Sequence, residues 1–223
     1  MKLVNAELLL DIEIQENMPA ELVLENPDMM VRVVKELYGA CVGGDSDFIL
    51  SIDGKELSIE KATEIIINPF SIDFNSRKIQ NKLFEELLEG DSLYLEEKAI
   101  LQSLIIDYLD KLIQNVSYEM ITSNINLDIL KLFKMYEVRL DPQCNTILET
   151  LVEYTKVLSR LLRKKLLVLV NISTFLDCEA LKELAGMCAY QKLNLLLIES
   201  QEKTNQFPTK TYIIDNDKCL IIK

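Results

Sequence analysis

The sequence predicts an α/β protein interrupted by an all-helical insertion, and three observations carry that prediction. Short apolar or alternating runs fill the first 70 residues, helical periodicity fills the middle, and two wholly apolar runs flank a helical stretch in the last third. With 223 residues, 49% of them hydrophobic and 27% charged, the chain suits one domain carrying a sizeable insertion.

Leu8–Ile14 and Glu21–Glu25 read as strands, with Pro19 in the turn between them. Asn26-Pro27-Asp28 starts a helix through about Tyr38, because a capping residue precedes a proline whose missing N–H costs nothing at a helix start. Val31, Val34 and Leu37 share its apolar face, and Gly39 and Gly43-Gly44 end it. Phe48–Ile52 and Lys55–Ile59 form a hairpin, since Asp53-Gly54 supplies the positive φ of a type I′ turn. Glu64–Asn68 is a further strand, stopped by Pro69.

The period then changes from two to 3.6. Ile79, Leu83, Leu87 and Leu88 recur at helical spacing between Ser76 and Gly90. A long helix from Ser92 to about Val116 carries Leu101, Ile105, Tyr108 and Leu112 on one stripe. Ile100, Leu104, Leu109, Ile113 and Val116 widen that stripe beyond a coiled-coil seam, which predicts packing against several other helices. Asp128–Tyr136 adds a short amphipathic helix. Residues 73–145 therefore read as a helical leg, set between the two parts, 1–72 and 146–223, of an α/β head.

The last third returns to α/β. Thr146–Lys165 reads as a helix with Ile147, Leu151, Leu158, Leu161 and Leu162 inward, followed by the fully apolar strand Leu166–Val170. Asp177 caps a helix to about Gln191, Leu193–Ile198 is a second buried strand, and Tyr212–Ile214 with Cys219–Ile222 makes a closing hairpin. Strand–helix–strand order demands a parallel pair joined by a right-handed crossover.

Composition narrows the function. Histidine is absent, which removes the commonest general base and every Ser-His-Asp or Cys-His arrangement. The five cysteines are scattered without a CxxC pair, so they read as reduced thiols. The N-terminus lacks a secretory apolar core, and the longest apolar run, Leu166–Val170, falls far short of a membrane span. The expectation is a soluble, cytoplasmic protein with no membrane partner. Where a nucleotide-binding α/β protein cradles phosphate, the chain reads Leu24-Glu25-Asn26-Pro27-Asp28-Met29, with no glycine or lysine and with acids that repel phosphate. No catalytic constellation is found, so the chain reads as a binding protein and not an enzyme.

The net charge is −12, yet its distribution is uneven. Residues 1–60 carry 13 acids and 4 bases and residues 61–153 carry 16 and 9, whereas residues 154–176 carry 5 bases and no acid. Lys156, Arg160, Arg163 and Lys164 fall at helical spacings that let three or four share a face, with Lys165 following. Such a cluster either complements a helix dipole or tracks a nucleic-acid backbone without reading bases. Arg77, Lys78 and Lys82 at the start of the leg extend it. Glu119, Asn124, Asn126, Asp128, Asp141 and Asn145 supply scattered oxygens that serve as caps and solvated loop groups, or as calcium ligands if several converge.

Several stretches together resemble one family. Lys164-Lys165-Leu166-Leu167-Val168-Leu169-Val170-Asn171 with Phe175-Leu176, then Leu196-Leu197-Ile198-Glu199, Phe207-Pro208 and Tyr212-Ile213-Ile214-Asp215-Asn216-Asp217, resemble the ordered motifs of a type II-A CRISPR adaptation protein. Val23-Leu24-Glu25 and Phe74-Asn75-Ser76 with Ile79 match further motifs in order. The resemblance implies a P-loop-kinase-like head that has lost its nucleotide site, with an all-helical leg inserted. It also implies a homotetrameric ring that binds linear double-stranded DNA ends without sequence preference, beside the CRISPR integrase subunits and the type II effector nuclease. It implies calcium, for which Glu119, Asp128 and Asp141 are the candidate ligands here. Ser123, Ile125 and Asn126 stand where the family carries acids, so the acidic run is depleted. The alternatives are a P-loop-like nucleotide kinase or ATPase, and an oligomer that only recruits proteins.

Overall fold

The computed structural model describes residues 1–118, 120–124, 126–202, 209–217 and 219–223. The chain runs β1 (Lys2–Asn5), β2 (Leu10–Glu13), β3 (Ala20–Leu24), α1 (Pro27–Cys41), β4 (Phe48–Ile52), β5 (Lys55–Leu57), α2 (Ile59–Ala62) and β6 (Thr63–Ile66). Three helices follow, α3 (Arg77–Asp91), α4 (Leu95–Gln114) and α5 (Ile129–Met135). The last part comprises α6 (Ile147–Lys156), β7 (Leu166–Val170), α7 (Cys178–Tyr190), β8 (Asn194–Glu199), β9 (Lys210–Ile214) and β10 (Leu220–Ile222). Two units result: a head of Met1–Phe74 with Asp141–Lys223, and a leg of Asn75–Leu140.

The head holds two sheets. One is antiparallel, in the order β2-β1-β4-β5; the other runs β10-β9-β3-β8-β7-β6, parallel except for the β10 edge. Each strand of the large sheet alternates its side chains between two faces. Leu22, Leu24, Val168, Val170, Leu196, Ile198, Tyr212 and Ile214 meet Val33, Leu37 and Ala40 of α1 and the inner residues of the small sheet in one core. The residues between them, including Leu167, Leu169, Leu195 and Leu197, are equally buried on the second face. This double burial explains why β7 is uniformly apolar, each leucine contributing roughly 2–3 kcal/mol on leaving water. Tyr212, buried in that core, accepts the Glu13 N–H with its hydroxyl at 2.9 Å and so ties β9 to β2.

The α/β reading and the hairpins hold, while several local expectations shift. β1 went unread because four residues are too short to display alternation. Asp53 and Gly54 both have positive φ, 51° and 75°, as the type I′ turn requires. Helix α1 runs on to Cys41 and buries Val33, Leu37 and Ala40, whereas Val31 is 65% exposed. Both stripes fit a 3.6 period, and the position of the small sheet selects one. Gly43, at φ 86°, and Gly44, whose N–H reaches the Gly39 carbonyl at 2.9 Å, close the helix.

In the leg, Ile79 and Phe84 are buried, and Phe84 packs on Phe133 of α5 with ring centroids 5.5 Å apart. The broad stripe of α4 was expected to be covered by several helices. The structure corrects this: α4 buries no residue, and Ile100, Leu104 and Tyr108 are each more than half exposed. The described leg has only α3 and α5 to offer as partners, and these two pack on each other.

Candidate nucleic-acid interface

The large sheet reverses its order at β3 and β8, neighbours in space that are far apart in sequence. Open α/β sheets take ligands outside the carboxyl ends of strands at such a point. Here that edge satisfies itself. After β3, the Asn26 side-chain oxygen accepts the N–H groups of Asp28 and Met29 at 3.0 and 3.1 Å, Pro27 offers no donor, and Glu25 and Asp28 stand exposed. The donors that would hold a phosphate are therefore taken, and the local charge is negative. After β7, Asn171 adopts φ 51° and its side chain accepts the Ser200 N–H at 2.9 Å. Ser173 donates its N–H and hydroxyl to the buried Glu199 carboxylate at 3.1 and 2.6 Å.

Cations gather instead at the amino edge. Helix α6 passes into a π-helical turn at Val157–Leu161, where Leu162 N–H bonds back to the Val157 carbonyl, and Arg163 takes φ 54°. These departures break the helical register that placed Lys156, Arg160, Arg163 and Lys164 on one face. Lys164 turns inward and is 2% exposed. Its ammonium donates to the Glu60 carbonyl at 2.7 Å and to the Thr63 carbonyl, and lies 3.4 Å from the Glu64 carboxylate. It is a buried structural cation and leaves the accessible basic set. Tyr154 donates its hydroxyl to the same Glu64 at 3.3 Å, and burial, with that carboxylate beside it, pushes the phenol pKa well above its usual value.

Lys156 is paired with Glu153 at 2.5 Å, and Arg160 donates to the Gln191 side chain at 3.3 Å. Arg160, Arg163 and Lys165 are exposed. Two exposed lysines that the sequence reading passed over join them. Lys165 N–H bonds to the Ala62 carbonyl at 2.7 Å, next to Lys61, and its carbonyl accepts the Asn194 N–H at 2.9 Å, two residues from Lys192. Lys61, Lys165 and Lys192 thus precede β6, β7 and β8 along one edge. No local pattern marks Lys61 or Lys192, because parallel pairing alone brings them to Lys165.

In the leg, Arg77 and Lys78 are exposed at the start of α3, and Lys82 pairs with Glu85. Of the metal candidates, two lie among the described residues. Asp128 caps α5, accepting the Lys131 N–H at 3.1 Å; that bond, more than the nearby ammonium, holds its carboxyl below the usual aspartate value. Asp141 is exposed and belongs to the head, while Glu119 lies outside the described residues. Among the described residues no three cysteine, aspartate or glutamate side chains approach closely enough to hold a metal ion. No helix among them is long and apolar enough to cross a membrane.

The molecule is thus a mixed α/β protein with a helical insertion, cations on the amino edge of its main sheet, and a self-capped turn where phosphate would enter. Residues 42–218 match the family described as CRISPR-associated protein (Cas_Csn2), and the chain belongs to that family. A relative named CRISPR-associated protein Csn2 from Streptococcus agalactiae is 26% identical over 208 residues, 90% of this chain and 89% of that one. Another of the same name from Enterococcus faecalis is 23% identical over 203 residues, 88% of each chain. The crystal structure of Stu0660 of Streptococcus thermophilus covers 100% of this chain, and 76% of its own length, with a TM-score of 0.60 at 15% identity. That likeness speaks for the fold. The family read from the ordered motifs is therefore the family found.

Proposed function

We propose that this CRISPR-associated protein is a non-catalytic binder of linear double-stranded DNA ends that acts as a homotetrameric ring in spacer acquisition, beside the integrase subunits and the type II effector nuclease. The observation that carries the reading is the amino edge, where Lys61, Arg160, Arg163, Lys165 and Lys192 meet in a chain of net charge −12. Cations concentrated against an otherwise acidic surface suit backbone tracking without base readout. The exposed apolar residues of α4 support self-assembly, since a monomer rarely leaves so long a stripe in water. A P-loop-kinase-like ancestry of the head is part of the same reading, supported by the parallel sheet and the β3–α1 turn. The kinase or ATPase alternative loses support at that turn, where Asn26 occupies the phosphate donors. Calcium enters only through the resemblance, and no part of the proposed binding is routed through it.

Filter binding tests the reading with a short linear duplex and a covalently closed circle at low salt. Retention of the linear form alone is expected, and equal or absent retention overturns end binding. Native mass spectrometry of the same mixtures, with and without calcium, reads subunit number, metal count and DNA occupancy together.

A further inference from the structure

We propose that the leg carries a second, separate site: a pocket for a nucleoside 5′-monophosphate unit. A cavity of about 540 Å³ opens between α3 and α5, within the size range of small-molecule sites. Arg77, Gln80, Asn81 and Phe84 form one wall and Phe133, Lys134, Glu137, Val138 and Arg139 the other. The leg as a whole is acidic, with 11 acids and 8 bases over residues 75–140, yet three of those bases and one acid meet here.

The cations are brought together by built geometry. At the end of α5, Glu137 takes φ 49° and Val138 N–H returns to the Phe133 carbonyl at 2.9 Å, so the chain folds back and carries Arg139 to the mouth that Lys134 borders. Asn75 then grips the next residue, Leu140, accepting its N–H at 3.0 Å and donating to its carbonyl at 2.8 Å. Those bonds hold Arg139 in the same pocket as Arg77, two residues beyond Asn75. Ser76, at the N-cap of α3, makes no side-chain capping bond.

The lining chooses the ligand chemistry. Two guanidiniums and an ammonium match a phosphate, which arginine grips through paired N–H bonds. Phe133, half-buried and backed by the buried Phe84, offers a ring on which a base stacks, and the Gln80 and Asn81 amides supply donors and acceptors for its edge. A bare phosphate would leave the aromatic wall and most of the volume unused, and an apolar ligand would strip water from three cations without pairing them. A nucleotide unit satisfies both halves. It can come from a free nucleotide or from the 5′ end of a strand.

Calorimetry on the full chain with dAMP, deoxyadenosine and inorganic phosphate tests the site. The expected result is saturable dAMP binding, with deoxyadenosine and phosphate each weaker by roughly tenfold or more. The double variant Arg77→Gln, Arg139→Gln should lose dAMP binding by about the same factor with its thermal melt unchanged, and Phe133→Ala should weaken dAMP but not phosphate. Binding of dAMP no tighter than phosphate, or unchanged in the double variant, overturns the proposal. A 5′-phosphorylated oligonucleotide that displaces dAMP better than its 5′-hydroxyl form identifies a strand end as the source, and equal failure of both identifies a free nucleotide. The site does not rest on duplex binding by the head, so filter retention and dAMP calorimetry can fail independently.

Discussion

Asn75 and Leu140, 65 residues apart, are joined by two hydrogen bonds of 3.0 and 2.8 Å, in which one side-chain amide satisfies both backbone groups of its partner. The two ends of the leg thereby close on each other without a covalent link. Asn75→Ala leaves both backbone groups of Leu140 to water. It should cost about 1–2 kcal/mol in urea unfolding, with amide exchange rising first at Leu140. An unchanged midpoint and unchanged exchange would mean the clamp contributes nothing.

Lys164 and its neighbour Arg163 should separate cleanly. Lys164→Met removes a cation held by two carbonyls and Glu64 inside the head, and is expected to destabilise by about 3 kcal/mol. Whatever fraction stays folded should bind duplex as before. Loss of DNA binding without loss of stability would return Lys164 to the interface.

Charge reversal at the exposed edge should do the opposite. Arg163→Glu with Lys165→Glu is expected to shift unfolding by no more than roughly 0.5 kcal/mol, yet to weaken linear duplex retention sharply. Raising salt from about 50 to about 200 mM should reduce wild-type affinity by a hundredfold or more, and the double variant should show a shallower salt dependence. A salt-independent affinity would count against backbone tracking.

The β3–α1 turn carries its own check. Asn26→Ala removes the cap from Asp28 and Met29 and should lower stability by about 1 kcal/mol. Calorimetry with ATP, run with Arg77→Gln and Arg139→Gln in both forms to silence the leg pocket, should show no heat of binding, because Pro27 and the exposed acids remain. Saturable ATP binding would revive the nucleotide-enzyme alternative.

Thiol chemistry reports on the core. Cys219 is exposed and Cys188 is buried, where loss of solvation pushes its thiol pKa up to about 12 from 9.0. At mildly alkaline pH, Cys219 should react with a thiol reagent far ahead of Cys188. The unfolded state releases the Cys188 proton at lower pH than the native state does, so between these values it binds fewer protons and stability falls as pH rises. Substituting Cys188 by Ala should flatten that alkaline decline; an equally steep decline would assign it to other groups.

Much of the head was legible from local pattern. The period-two runs, the Asp53-Gly54 turn, the Asn26-Pro27 start and the apolar run of β7 each express a short-range rule that sequence displays directly. The candidate interface was legible only in part. Spacing found Arg160, Arg163 and Lys165, but a π-helical turn and an arginine at positive φ sent Lys164 inward, and neither leaves a mark on helical spacing.

By itself, the sequence determined most of the strands and helices, though not β1 or α2, that no glycine loop cradles phosphate after β3, and that cations crowd one short stretch of an acidic chain. These follow from side-chain period, turn chemistry and composition, all of which act over a few residues. Only the tertiary structure decided that Lys61 and Lys192 join Lys165, because parallel strands align residues that lie far apart along the chain. It likewise decided which face of α1 is buried and that α4 buries no residue fully, since burial depends on what the rest of the chain places opposite. The placing of Arg77 and Arg139 along one pocket has the same origin: one asparagine closes the leg and brings two scattered arginines to the same cavity.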